Sequence, residues 1–231
     1  EAVIANCQSM LEAFRRSEDI HDANMRDTFG VRIEDWQSWK AALSSGEYSD
    51  LLTAIKATGF GIIYGITGQG LYKQNKGLFQ SPEQAQSRID RWLDVRPEVR
   101  AYMESTRGDV QQNGYVVDPL GRIRWIPEIY SKSRWEVEEA VRKAINMPAQ
   151  AFAADIIKIA MARIHRAMQE RGLKSRMLLQ VHDELVFECL VMELEEMIEL
   201  VRDCMEHAVE LPIPTPVEIK VGTRWAETVA I

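Results

Sequence analysis

Leu178-Leu179-Gln180-Val181-His182-Asp183-Glu184-Leu185-Val186-Phe187-Glu188 sets a charged triplet between two apolar runs. Two β-prone apolar segments flank three consecutive ionisable residues, with no Gly or Pro between them. That pattern predicts two strands joined by a very tight turn. The tip would expose Asp183 and Glu184, whose hard carboxylate oxygens suit a divalent cation. An ordinary solvated turn has the same local pattern, so the surrounding sequence has to decide between the two.

Downstream, a helix is expected from about Val191 to His207, followed by a strand Val217-Glu218-Ile219-Lys220-Val221. This order suits an antiparallel sheet with helices against one face. Immediately upstream lie two predicted helices, Trp135 to Ile145 and a long one from Pro148 to Arg171. Before them, Tyr115-Val116-Val117, a Pro-Leu-Gly turn and Arg122-Ile123-Arg124-Trp125-Ile126 read as a small hairpin. The first 110 residues or so carry apolar spacings of three and four, which predict helices. Met10 to Phe14, Trp36 to Leu43 and Leu51 to Tyr64 are such segments, and Gly65 to Gly70 is expected to be a loop. Ser81-Pro82-Glu83 opens a helix running to about Asp94, with Ser as cap and Pro in the first turn. Pro97 starts the next, toward Gln112. The fold class is therefore α+β, a helical portion followed by a mixed one, read as two lobes.

Of 231 residues, 46% are apolar, enough for a substantial core. No stretch approaches the roughly 20 apolar residues of a membrane span, and no signal-peptide pattern opens the chain. Cys7, Cys189 and Cys204 lack metal-ligand spacing and read as reduced thiols of a cytoplasmic protein. The net charge of −7 argues against nucleic-acid binding by overall charge. Locally the balance differs: Arg122, Arg124, Arg134, Arg142 and Lys143 cluster, while acids concentrate between Glu193 and Glu199.

A second unusual segment is Lys56-Ala57-Thr58-Gly59-Phe60-Gly61-Ile62-Ile63-Tyr64-Gly65. On a helix, Lys56, Phe60 and Tyr64 fall at i, i+4 and i+8 and share one face. That face would offer a cation, an aromatic plate and a phenol along roughly 12 Å. Glycines cost about 1 kcal/mol each against Ala inside a helix, so something is expected to approach the backbone closely. The alternative is a core helix with glycine-mediated packing and a snorkelling lysine.

Together the two segments resemble the polymerase domain of family A DNA polymerases, the bacterial polymerase I type. Lys56…Phe60-Gly61-Ile62-Ile63-Tyr64-Gly65 is similar to motif B of the fingers, and Gln180-Val181-His182-Asp183-Glu184 to motif C of the palm. Asp19-Ile20-His21 is similar to the segment after motif A. Asn113-Gly114-Tyr115 with Gly121-Arg122 is similar to the hairpin after the fingers. Arg142 to Asp155 is similar to the opening of the long palm helix. The resemblance implies residues 1–18 as a residual palm helix, 19–140 as fingers and 141–231 as the C-terminal part of the palm.

It also implies roles. Asp183, with Glu184 as a weaker candidate, would ligate catalytic Mg²⁺ ions. His21, Lys56, Phe60 and Tyr64 would bind the dNTP, with Lys56 pairing the triphosphate and Tyr64 near the template base. Arg142, Asn146, Gln150 and His182 would contact primer–template DNA. The implied reaction is attack of the primer 3′-hydroxyl on the α-phosphate with two metal ions, serving replication, repair or phage propagation in a bacterial or phage-infected cell.

Three departures qualify the resemblance. The motif A aspartate, which bridges both metals in the family, lies upstream of anything in this chain. Glu1 aligns with the glutamate that ends motif A only if a short deletion follows. The expectation is a fragment or split subunit that needs a complementary polymerase chain carrying motif A and the thumb, and that exposes an apolar sheet face when alone. Second, Leu52 stands where motif B has an arginine, removing a phosphate contact of the bidentate kind. Third, Gly59 stands where the family usually has Asn. The competing expectation is a catalytically silent relative with a DNA-binding or structural partner role.

Overall fold

The computed structural model describes residues 2–225 and 227–231; Glu1, and with it the motif A alignment, lies outside the described residues. The chain divides into two compact units, Glu1–Ala149 and Gln150–Ile231. The architecture is α+β: nine helices and six short strands among the described residues, in three separate two-stranded antiparallel sheets.

The first unit is built from α1 (Gln8–Arg15), α2 (Ile20–Phe29), α3 (Trp36–Ala41), α4 (Ser45–Ile63), α5 (Gly68–Gln74), α6 (Pro82–Asp94) and α7 (Pro97–Asn113). The hairpin β1 (Tyr115–Val117) and β2 (Ile123–Trp125) follows, then the N-terminal half of α8 (Arg134–Glu170). α6 forms as its sequence dictates. Ser81 accepts the Gln84 N–H at 3.3 Å as N-cap, Pro82 stands in the first turn, and Glu83 complements the helix dipole. Its buried face, Ala85, Ile89, Trp92 and Leu93, repeats at helical spacing. α4 is bounded by a capping box: Ser44 and Glu47 satisfy each other's backbone N–H groups. Met25, Trp36 and Ile55 form a buried cluster that holds α2, α3 and α4 together, with Leu51 and Leu52 packed on it.

Two expectations in this unit need correction. The predicted loop over 65–70 ends early, because Thr67 caps α5 by accepting the Gly70 N–H at 3.2 Å. The predicted pair of helices at 135–145 and 148–171 is a single helix, α8, with Pro148 inside it. Proline removes a backbone donor and usually breaks a helix. Here neighbouring side chains serve the carbonyls around it: Tyr102 Oη donates to Ile145 O at 2.8 Å, and Asn146 Nδ2 to Arg142 O at 2.9 Å.

The second unit contains the C-terminal half of α8, the hairpin β3 (Arg176–Val181) and β4 (Glu184–Glu188), α9 (Leu194–Glu206), and β5 (Lys220–Arg224) with β6 (Glu227–Ala230). Met197, Leu200 and Val201 of α9 bury against Ile164 and Met168 of α8, with Leu185 and Phe187 of β4 packed alongside. The helix expected from Val191 begins as a 3-10 turn, Val191–Glu193. Glu193 anchors that turn by accepting from Lys174 N, Ser175 N and Ser175 Oγ.

The strand expected at Val217–Val221 is displaced to Lys220–Arg224, and an unanticipated partner, β6, pairs with it. The cause lies in Val217, whose backbone is already engaged by α9. Its N–H donates to Glu206 Oε1 at 2.9 Å and its carbonyl accepts from Arg202 at 3.3 Å. A backbone satisfied by side chains has nothing left for a ladder. Leu178, Leu179 and Val181 of β3 are exposed, the apolar strand surface expected of this chain. Among the described residues, no helix is long and apolar enough to cross a membrane.

Candidate nucleotide and metal sites

The orientation of α4 decides between the two readings of its glycine-rich stretch. Ile55, Thr58 and Ile62 face the core, while Lys56 is exposed and Phe60 and Tyr64 are 58% and 54% exposed. A core helix with a snorkelling lysine would bury the aromatic rings; instead the whole stripe faces solvent.

The end of α4 explains two of its glycines. Gly65 has φ +64°, its N–H donates to Ile62 O at 2.8 Å, and the Ile66 N–H reaches back to Gly61 O at 2.8 Å. These are the two bonds of a Schellman C-cap. Ile66 then folds over the last turn, where a Cβ on Gly61 would meet its Cγ2 at 2.5 Å. A Cβ on Gly65 would meet Arg142 Cγ at 2.7 Å. The close approaches are therefore made by the chain's own Ile66 and Arg142. Gly59 is different: a Cβ there meets only Trp92 Nε1, at 3.9 Å.

α8 supports the same end of α4. Asn146, buried, donates Nδ2 to Ile63 O at 2.7 Å, satisfying a carbonyl that the helix terminus leaves open. Arg142 is half-buried with its stem across Gly65. Both residues thus hold the base of the Tyr64 turn. Gln150 is exposed on α8, in the second unit.

The start of α2 lies against the Lys56 stripe. Asp19 is its N-cap, accepting from His21 N at 2.8 Å and Asp22 N at 3.0 Å. The Asp22 N–H holds the Asp19 carboxyl below its ordinary range, helped by the His21 N–H and by His21 and Lys56 nearby, against an opposing burial effect. The His21 ring lies 6.2 Å from the Phe60 ring, centroid to centroid. His21, Lys56 and Phe60 are therefore brought together, with Tyr64 one turn beyond Phe60.

Leu52, in the turn before Lys56, is half-buried on the Met25–Trp36–Ile55 cluster. One element away, Lys40 Nζ pairs with Asp22 Oδ2 at 2.7 Å and lies 4.4 Å from the Tyr48 ring centroid. Tyr48 also donates to Asp22. The hydrogen bond to Asp22, and then that of Tyr48, raises the Lys40 ammonium above its ordinary value. Sequence reading missed this triad and the Asp19 cap. The Asp19-x-x-Asp22 spacing was a legible capping signal, and Tyr48 stands eight residues before Lys56 on the same face.

In the second unit, Val181 pairs with Glu184, leaving His182 and Asp183 as a two-residue turn, so the tip expected at Asp183 and Glu184 lies one residue earlier and Glu184 opens β4. His182 has φ +55°, and histidine is among the residues enriched there. A positive φ at the first central residue is a feature of the hairpin turns that match strand twist. Gln180 Nε2 braces the turn by donating to His182 O at 2.5 Å. His182, Asp183 and Glu184 are all exposed. Glu184 Oε1 accepts the Trp225 indole N–H at 3.1 Å, a contact 41 residues away that no local pattern signals. Among the described residues, no three acidic, His or Cys side chains converge as a metal-binding group.

Comparison with known proteins places these motifs in context. The model of DNA polymerase family A matches residues 1–227. DNA polymerase I of Pseudomonas aeruginosa is 40% identical over 226 residues, 98% of this chain and 23% of that protein. DNA polymerase I of Bacillus subtilis is 38% identical over 97% of this chain and 24% of its own length. The chain thus spans about a quarter of the length of these relatives. Among solved structures, the POL domain of Pol1 from M. smegmatis, in complex with DNA primer-template and dNTP, matches with a TM-score of 0.80. The identity is 36%, covering 92% of this chain and 35% of that one.

Proposed function

The chain belongs to DNA polymerase family A, and on that premise we propose that it carries the nucleotide-binding face and part of the metal site for template-directed DNA synthesis. The observation that carries this reading is the outward-facing Lys56–Phe60–Tyr64 stripe of α4, packed on its opposite face and flanked by His21. Lys56 supplies a mobile point charge for a triphosphate. Phe60 offers a flat apolar surface for the sugar and base, and Tyr64 a plate for the template base. Purine N3 and pyrimidine O2 are minor-groove acceptors of every Watson–Crick pair, so donors from Arg142 and Gln150 would check pair geometry without reading sequence, while Asn146, whose two amide hydrogens are taken by Ile63 O and Arg142 O, would hold that edge in place. His182 would contact the primer terminus.

The Asp183 carboxylate fits a hard divalent cation such as Mg²⁺: it is exposed, projects from a braced turn and supplies oxygen. Glu184 would add its second oxygen while Trp225 holds the first. A metal ion bound here supplies charge neutralisation at the transferring phosphate. The remaining carboxylate is proposed to come from polypeptide outside these 231 residues, together with the thumb. The setting is the cytoplasm, at the DNA. Position and electrostatics are what such centres require of the protein; within its own unit, α4 is packed on its inner face and the β3–β4 turn is braced by Gln180.

One observation favours the second reading, a catalytically silent relative that binds DNA or a partner: Leu52 is packed into the core where motif B has its arginine. Titration of the chain with Mg·dNTP distinguishes them at the first step. Saturable binding that weakens about tenfold in Lys56→Ala, the loss of one charge-assisted contact of about 1.4 kcal/mol, supports the polymerase reading. No binding of any of the four dNTPs would favour the silent one.

A further inference from the structure

The β1–β2 hairpin and the turn that follows it display aromatic rings to solvent in a way the nucleotide reading does not use. Trp125, Tyr130 and Trp135 are 67%, 63% and 68% exposed. They are held in place by their neighbours. Ile126 and Ile129 are buried beneath the turn, and Ile126 N donates to Gly114 O at 2.8 Å. Tyr115 pairs with Trp125 across the hairpin, their rings 4.9 Å apart and edge-to-face. Tyr130 lies over Gly114, the residue before Tyr115, its ring 3.0 Å from where a Gly114 Cβ would stand. Ser131 ties the following turn by bonding Glu136 and accepting the Ser133 N–H, and Trp135 opens α8 from it.

Charge complements the rings. Arg124, Lys132 and Arg134 are exposed and none makes a close ion pair among the described residues, Arg134 acting on Glu138 only through space. The acids nearby are occupied. Asp118 is buried, accepting from Leu120 N and Arg122 N; Glu128 faces Lys143 at 3.8 Å; Glu138 pairs with Arg107 at 2.9 Å. Rigid aromatic plates interleaved with unpaired cations are what an unpaired nucleic-acid strand requires, because its bases offer stacking faces that a duplex hides. On a chain of net charge −7, this is a local exception.

We propose that this surface is a stacking platform for an unpaired DNA strand, the template just ahead of the insertion position. The assignment to the template rests on the reading of Tyr64 above. Arg142, whose stem crosses Gly65 beside Tyr64, is eight residues from Arg134 along α8, about 12 Å at 1.5 Å per residue. That distance is about four stacked nucleotides at ~3.4 Å each.

Anisotropy of a labelled 12-nucleotide pyrimidine strand, titrated with the full chain, tests the platform against a duplex of equal length. The expected result is tighter binding of the single strand. Trp125→Ala and Trp135→Ala should each weaken it about tenfold, within the usual range for one stacked base. Trp125→Phe should retain affinity, which separates stacking from misfolding. Arg124→Gln and Arg134→Gln should each lower the salt dependence by about 0.7 in log–log slope. Equal affinity for duplex, or affinity indifferent to the tryptophans and sensitive only to the arginines, would overturn the platform. Loss of Mg·dNTP binding with strand binding retained would sink the nucleotide reading alone, so the two ideas fail separately.

Discussion

Two glycine-to-alanine substitutions, at the fourth and tenth residues of the same motif, should act in opposite directions. At Gly65 an alanine must adopt φ +64°, a left-handed conformation costing roughly 1–2 kcal/mol for a residue with a Cβ. Its Cβ would also sit 2.7 Å from Arg142 Cγ and 3.0 Å from Cδ. That stem is flexible and can swing away, so the steric addition is smaller, bringing the total to about 2 kcal/mol. At Gly59 the backbone is helical and the nearest atom, Trp92 Nε1, is 3.9 Å away. Alanine there should gain helix propensity, stabilising by about 0.5–1 kcal/mol. Urea unfolding followed by tryptophan fluorescence reads both, since Trp36 and Trp92 are buried in the same unit. With a slope of about 2 kcal/mol per M, Gly65→Ala should move the midpoint down by about 1 M and Gly59→Ala up by about 0.3 M. Equal shifts, or destabilisation by Gly59→Ala, would refute the assignment of close contact at 65 and open space at 59.

Other substitutions address the nucleotide face and its support. Leu52→Arg should raise dNTP affinity about tenfold by restoring a charge-assisted phosphate contact worth about 1.5–3 kcal/mol, less what Leu52 loses in packing; calorimetric titration reads it, and unchanged affinity would mean the phosphates lie elsewhere. Asp19→Ala should cost about 1 kcal/mol at neutral pH as a lost N-cap. Because the folded Asp19 carboxyl is held below its ordinary value of 3.8, that contribution is complete above pH 3.8 and vanishes as pH falls through the lower folded value. The stability gap between wild type and variant should therefore close only below about pH 3.8; a gap that closes between pH 7 and 5 would contradict the cap.

Much of this was legible locally. The Ser81-Pro82 start of α6, the existence of a tight turn between β3 and β4 (though its tip falls one residue earlier than expected) and the common face of Lys56, Phe60 and Tyr64 follow from spacing and capping chemistry alone. What was not legible depends on partners remote in sequence. Pro148 does not end α8 because Tyr102 and Asn146 serve the carbonyls around it. β5 starts three residues late because Glu206 and Arg202 occupy the Val217 backbone. The glycines of motif B signalled close approach correctly at 61 and 65, but the approaching groups are Ile66 and Arg142 of the same chain, and at 59 nothing approaches. Periodicity showed that Lys56 shares a face with Phe60; only the fold showed that Asp19 and His21 stand beside it.

The most direct test of the central claim is Mg²⁺-dependent primer extension by this chain combined with the upstream palm and thumb of a family A polymerase. The mixture should extend a primer, and extension should disappear with Asp183→Ala and fall steeply with Lys56→Ala. DNA binding without extension under every such combination, or extension indifferent to Asp183, would contradict it.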